Sequence, residues 1–293
     1  MAKIGVQAMM LKRNFAEDGP FETLRAVSDI GYHAVEVSQI PMTGTNVAEL
    51  DRARTELGMD IASLSAVLTA EPGASNDSLT EDFEKIVSDA KTLDTSMIRI
   101  GMLPVAAMAS LRDVLEFCDR ANELAARLHE HGIELYYHNH HIEFAKYDGR
   151  LLLDIIADRA PLVGLEIDVH WVQRGGMDPV TVLKRYGERV AMVHLKDYRI
   201  GQIPQSAFDA LAGGDRAQFQ AAFAGVVQFA EVGEGNLDFS SIIPASLQIG
   251  ARYLLVEQDD QYGRTPLECL QTSYDNLVKL GYRDLFSTAL PTR

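Results

Sequence analysis

The stretch "GLEIDVHW", Gly164 to Trp171, alternates strictly. On an extended chain Leu165, Ile167 and Val169 fall on one face, and Glu166, Asp168 and His170 on the other. A parallel strand is covered on both sides and should read as an unbroken apolar run, so a face of acids and imidazole has to look into an enclosed interior. The same phase recurs. In "MVHLKDY" Val193 and Leu195 pack outward while His194 and Lys196 face inward; "YLLVEQD" pairs Glu257 with Asp259, and "AVEVSQ" pairs Glu36 with Ser38. In "YYHNHHIEF" Tyr136, His138 and His140 share a face, and Glu143 follows where the strand turns into its loop.

Outward from these stretches, short β-branched runs alternate with amphipathic helical patterns, the sequence form of repeated βα units. The strand candidates number eight: "KIGVQAM", "AVEVSQ", "IASLSAV", "MIRIGM", "IELYYHN", "GLEIDV", "AMVHLKD" and "YLLVEQD". Eight parallel strands, each followed by a helix, close most naturally into a (β/α)₈ barrel, the α/β fold expected here as one domain over residues 1–293. One connection is too long. About fifty residues separate "HLKDYRIG" from the eighth strand, and the excess, about residues 201–230, has helical periodicity broken at Gly213 and Gly214. A helical insertion between strands seven and eight, leaving the catalytic rim of the barrel, is expected to act as a lid or a docking surface.

Composition narrows the function classes. A formal charge of −15 opposes binding to a phosphate backbone and sets aside a DNA-repair endonuclease on the same kind of barrel. "MAKIGVQAMM" lacks the form of a signal peptide and no run is long enough to span a membrane, so a cytoplasmic protein is expected. The two cysteines, Cys118 and Cys269, read as small buried hydrophobes.

Carboxylates and imidazoles crowded inside a barrel repel and lose hydration unless a cation neutralises them. A divalent metal does so most simply, and a donor set of carboxylates with one imidazole suits Mn²⁺ first, then Mg²⁺ or Co²⁺. The preferred ligands are Glu143, Asp168, His194 and Glu257, with His138 or His140 able to replace Glu143. His140, Glu143 and His138 are candidate bases, since a neutral imidazole takes a proton readily near neutral pH. Lys196 could steady an oxyanion, Trp171 could stack on a ring, and Glu36, His170 and Glu234 complete the expected substrate-binding set. A barrel that binds carbohydrate without catalysis is the rival.

"YYHNHHIEF", "EIDVHWVQRGGMDP", "HLKDY", "EVGEG" and "LLVEQD" together resemble the xylose-isomerase-like superfamily of sugar isomerases and epimerases over nearly the whole chain. That resemblance implies a TIM barrel with one divalent metal held by Glu143, Asp168, His194 and Glu257, and proton removal next to a sugar carbonyl. The chain departs from the family pattern at Tyr136 and Tyr137, where a carboxylate is common, and at Trp171, where a histidine is common. Within the superfamily, "VSQIPMT", "FAGVVQFAEVGEG" and "QYGRTPLECLQTSYDNL" look most like the catalytic subunit of C-glycoside deglycosidases. This closer likeness implies an oxidised glycoside substrate and a small β-sandwich partner subunit. The apolar run "FAGVVQFAEVG", Phe223 to Gly233, needs cover and points the same way, to a stable oligomer or complex.

Overall fold

The computed structural model describes residues 2–70 and 76–286. Eight strands form a closed parallel barrel: β1 (Lys3–Gln7), β2 (Ala34–Val37), β3 (Asp60–Ala66), β4 (Met97–Ile100), β5 (Glu134–His138), β6 (Gly164–Asp168), β7 (Val190–Leu195) and β8 (Tyr253–Val256). Each pairs with its sequence neighbours in the barrel, and β8 closes on β1 with Leu254 opposite Ile4. All eight expected strands are present, and the fold is a TIM barrel.

Helices cover the outside because their sequences offer one apolar stripe each. Leu111–His129 buries Val114, Phe117, Cys118, Ala121, Leu124, Ala125 and Leu128 at three- and four-residue spacing, starting from a Ser110 cap. Pro266–Lys279 opens on a capping box between Thr265 and Glu268 and buries Cys269, Leu270, Ser273 and Leu277. Both cysteines are buried and free.

The barrel interior is layered. At the bottom, Ala62, Met97, Tyr136, Ala191, Met192 and Leu255 form a small apolar plug separate from the main core. Charged side chains begin directly above it. Such a closed base and polar top confine chemistry to the C-terminal ends of the strands.

The insertion is built on a hairpin. Asp197–Ile200 pairs antiparallel with Val227–Ala230, and helices Gln205–Ala212 and Arg216–Ala224 run between them, broken at the two glycines as expected. Asp197 clamps the base: its carboxylate accepts backbone N–H groups of Tyr198, Gly233, Gly235 and Leu237 at 2.8–3.1 Å. Gly235 is required there, because a Cβ would lie 2.3 Å from the Asp197 carboxylate. Among the described residues, no helix is long and apolar enough to cross a membrane.

Candidate metal centre

Four buried side chains converge above the charged layer from four consecutive strands. Asp168 ends β6, and its Oδ1 caps the following short helix by accepting Trp171 N at 3.0 Å, which leaves Oδ2 pointing inward. His194 lies opposite Asp168 in the β6–β7 register and opposite Leu255 in the β7–β8 register. Glu257 follows β8, with Oε1 held by Gln7 at 3.3 Å. His138 ends β5, and its Nδ1 meets the carbonyl of Gly101 at 3.1 Å. That carbonyl can only accept, so Nδ1 carries the proton and the Nε2 lone pair faces the cluster.

One donor atom from each of His138, Asp168, His194 and Glu257 lies within 4.8 Å of all the others. His194 Nδ1 is 2.6 Å from Glu257 Oε2 and 3.9 Å from Asp168 Oδ2, and His138 Nε2 is 3.6 Å from Asp168 Oδ2. Close as they are, none of these four atoms makes an aligned hydrogen bond. Buried polar atoms are rarely left that way, so the donor set fits a divalent cation of the hard or borderline kind.

The electrostatics of three of the four donors agree with that fit. Burial opposes ionisation of Asp168 and Glu257, yet Lys196 together with the neighbouring histidines outweighs it and holds both below the usual carboxylate range. Burial drives His138 down to about 4, so it stays a neutral donor at neutral pH. His194 behaves oppositely. Burial disfavours its protonation, but Glu166, Glu257 and Glu36 more than compensate and raise it.

Beneath lie Glu36, Arg99 and Glu166, all buried. Arg99 reaches Glu36 at 2.7 Å and Glu166 at 3.3 Å, and donates to Ser38 at 2.9 Å. Glu36 was expected to touch substrate; the structure places it in this lower layer, away from the cavity wall.

The remaining expected site residues separate into those near the mouth and those away from it. His140 lines the cavity, its ring 4.9 Å from His138 and 5.3 Å from Trp171, and burial pushes it down to about 3. Lys196 also lines it, bonded to Asp259 at 2.9 Å, within 3.4 Å of Asp168 and 3.1 Å of Glu257, and 5.2 Å from the Trp171 ring. Glu143 does not join the donor group. Its carboxylate accepts the Tyr137 hydroxyl at 2.6 Å and the His140 backbone N–H at 2.8 Å, and His138 stands in the cluster instead. The reason is the turn Ile142–Phe144, which folds Glu143 back under its own loop. His170 is likewise not on an inward strand face: the helix Val169–Arg174 begins before it, and its ring packs on Trp171, Tyr198 and Phe229. Glu234 is exposed and accepts from Asn276 on the final helix, so it does not cap the site.

Three neighbours were not singled out from the sequence. Arg99 was legible as the one charge inside "MIRI", and Asn139, which accepts Asp168 N at 3.1 Å, sits between two histidines. Phe229 comes from the insertion hairpin, 4.9 Å from the His170 ring and 5.9 Å from Lys196 Nζ. Only the fold brings it there.

The cavity that opens from the cluster is about 470 Å³. Gln7, His138, His140, Lys196, Glu257 and Asp259 form its polar end. Its other wall runs along the loops after β3 and β4, through Val67, Leu68, Met102, Leu103, Pro104 and Val105.

Residues 24–280 match the family described as xylose isomerase-like TIM barrel. The chain is 30% identical over 165 residues to the rhizopine catabolism protein MocC of Rhizobium meliloti, a match covering 55% of this chain and 48% of that protein. It thus spans about half the length of this curated relative. A sugar phosphate isomerase/epimerase from Parabacteroides distasonis superposes with a TM-score of 0.70 at 20% identity, over 94% of each chain. A 3-keto-D-glucoside 4-epimerase from E. coli superposes with a TM-score of 0.62 at 16% identity, over 96% of this chain and 99% of that one. The closed eight-strand barrel, its donor cluster at the C-terminal mouth and a match over most of its length place this chain in the xylose isomerase-like TIM barrel family.

Proposed function

We propose that this chain is a divalent-metal-dependent carbohydrate enzyme that removes a proton next to a sugar carbonyl. The observation that carries the reading is the set of four buried donor atoms without aligned partners, placed beside a neutral imidazole at the head of a cavity. His138, Asp168, His194 and Glu257 would hold the metal, Mn²⁺ in the first instance. When bound, such an ion polarises a carbonyl oxygen and stabilises the negative charge that develops on it.

The chain's own groups supply the rest. His140, neutral and lining the cavity, takes the proton from carbon. The Lys196 ammonium, anchored by Asp259, offers a positive charge to the oxyanion and a proton to a leaving group. Trp171 stands outside the cavity lining and packs on the His140 ring at 5.3 Å and on Phe229 at 6.2 Å, backing the proton-carrying histidine.

The specific reaction we favour is cleavage of a 3-oxo-C-glycoside by β-elimination. The proton leaves C2, its electron pair forms the C1=C2 bond, and the C1–aglycone bond breaks as the aglycone carbon collects a proton. Support comes from the two natures of the cavity, polar around the donor cluster and apolar along Leu68, Met102 and Val105. A second reading, isomerisation or epimerisation of a free sugar or sugar phosphate, uses the same first step; His140 and Lys196 would then serve as separate proton carriers. One structural neighbour, the 3-keto-D-glucoside 4-epimerase, acts on an oxidised sugar by its name. Incubation with oxidised C- and O-glycosides and with free ketoses, following aglycone release and deuterium uptake from solvent, separates these readings. No exchange and no product with any of them would leave a non-catalytic binding barrel.

We also propose that the chain works in an assembly, with a small β-sandwich subunit as the preferred partner. Phe223 and Ile200 on the insertion are 61% and 56% exposed, and Phe208 and Leu211 beside them are exposed as well. Apolar side chains gathered on one projection support a covered surface.

A further inference from the structure

Directly beneath the four donor atoms lie Glu36, Arg99 and Glu166; Arg99 reaches the cavity wall, but neither glutamate does. Buried ions of this kind carry a desolvation penalty that a packed apolar trio would avoid. Backbone irregularity is concentrated on them too. The barrel register slips between Val35 and Glu36, and again between Leu165 and Glu166, with Ala62 and Ala191 as the extra residues on the partner strands. Bulges of this sort re-aim side chains beside functional sites. Both glutamates approach one atom, His194 Nε2: it meets Glu36 Oε2 in a hydrogen bond of 3.4 Å, while Glu166 Oε1 lies 3.1 Å away without an aligned hydrogen bond.

A neutral imidazole has one lone pair, and the hydrogen bond made by one nitrogen decides which nitrogen carries it. His194 Nδ1 faces Asp168 and Glu257 in the donor cluster, while Nε2 faces the lower layer. We propose that Glu36, flanked by Glu166 and held by Arg99, is a positioning residue that keeps the His194 proton on Nε2, so that Nδ1 presents its lone pair to a divalent cation. Arg99 completes the arrangement. It holds Oε1 of Glu36 and Oε2 of Glu166, leaving the other oxygen of each glutamate turned toward His194. This inference rests on the metal-binding reading above, and the experiment separates the two.

The full chain and its Glu36→Gln and Glu36→Leu variants are titrated with Mn²⁺ against a competing chelator. Histidine ¹⁵N spectra are recorded on the Mg²⁺-loaded forms, since Mg²⁺ is diamagnetic. Glu36→Leu removes the acceptor and should weaken Mn²⁺ binding about 10- to 100-fold, the usual cost of losing such an outer partner. Glu36→Gln keeps a carbonyl acceptor but adds a competing donor, so its affinity should fall between the other two. In the wild type, Nε2 of His194 should be the protonated nitrogen. Unchanged Mn²⁺ affinity in both variants overturns the positioning role while leaving the metal site in place, and a proton found on Nδ1 overturns it and removes His194 from the donor set. If Glu36→Leu fails to fold, the isosteric Glu36→Gln variant and the wild-type spectrum decide. A wild-type chain that takes up no Mn²⁺ overturns the metal reading itself, and this inference with it.

Discussion

Glu143 accepts the backbone N–H of His140 at 2.8 Å while its other oxygen takes the Tyr137 hydroxyl at 2.6 Å. The carboxylate is therefore committed to holding the loop that carries His140. Burial raises its proton affinity against the pull of those two donors. Glu143→Gln should leave bound metal unchanged, and should cost about 1–3 kcal/mol of stability because one of two buried donors loses its acceptor. Metal analysis with thermal melts checks this; loss of stoichiometric metal in the variant would return Glu143 to the ligand set.

The donor cluster predicts the reverse pattern. Asp168→Asn, His194→Ala, Glu257→Gln and His138→Ala each remove one of four convergent atoms, and each should lower bound metal and abolish turnover. Full metal content and full turnover in any one of them would remove that residue from the site.

His140→Ala should separate binding from chemistry. The ring lines the cavity but stands outside the four-atom group, so metal should stay bound while turnover falls by about 10²- to 10⁴-fold. Solvent-deuterium uptake at the carbon next to the carbonyl is the direct readout, and uptake at the wild-type rate would exclude His140 as the base.

Metal should also act on the fold. A cation that binds only the native barrel stabilises it by mass action, about 2.7 kcal/mol at a free concentration a hundredfold above its dissociation constant. Mn²⁺ should therefore raise the melting temperature of chelator-treated protein, and Asp168→Asn should abolish the rise. An equal rise in the variant would mean the ion binds elsewhere.

For the assembly, Phe208→Glu combined with Phe223→Glu places charge on the exposed insertion helices without touching the donor cluster. Light scattering should show the wild type in a complex with a small β-rich partner, or in an oligomer, that this double variant cannot form. A fully active monomeric wild type would end the proposal.

The barrel was legible because covered parallel strands leave a simple rule, and a polar residue that breaks it marks the inside. Asp168, His194 and Glu257 follow from that rule, all at or just past strand ends. The rule fails where the backbone stops being extended. His170 keeps the right parity on paper, but Asp168 has already capped a helix that turns it aside. Glu143 is redirected by a single tight turn, and Glu234 by a loop tied to the Asp197 carboxylate. Arg99 and Glu166 obey the parity yet serve other residues, and spacing alone does not separate an ion that binds ligand from one that supports a neighbour.

Asp197 gathers the backbone on both sides of the excursion between β7 and β8, so the two ends of that segment are fastened to each other and not only to the barrel. A graft made beyond this clasp, anywhere from Arg199 to Phe229, can change length and character while the ends keep their spacing. Descent with modification then has a place to work: Phe229 and its neighbours can be exchanged for other roofing without disturbing the walls below. Chimeras that trade this segment between related barrels should inherit substrate preference from the donor of the roof and metal preference from the donor of the walls.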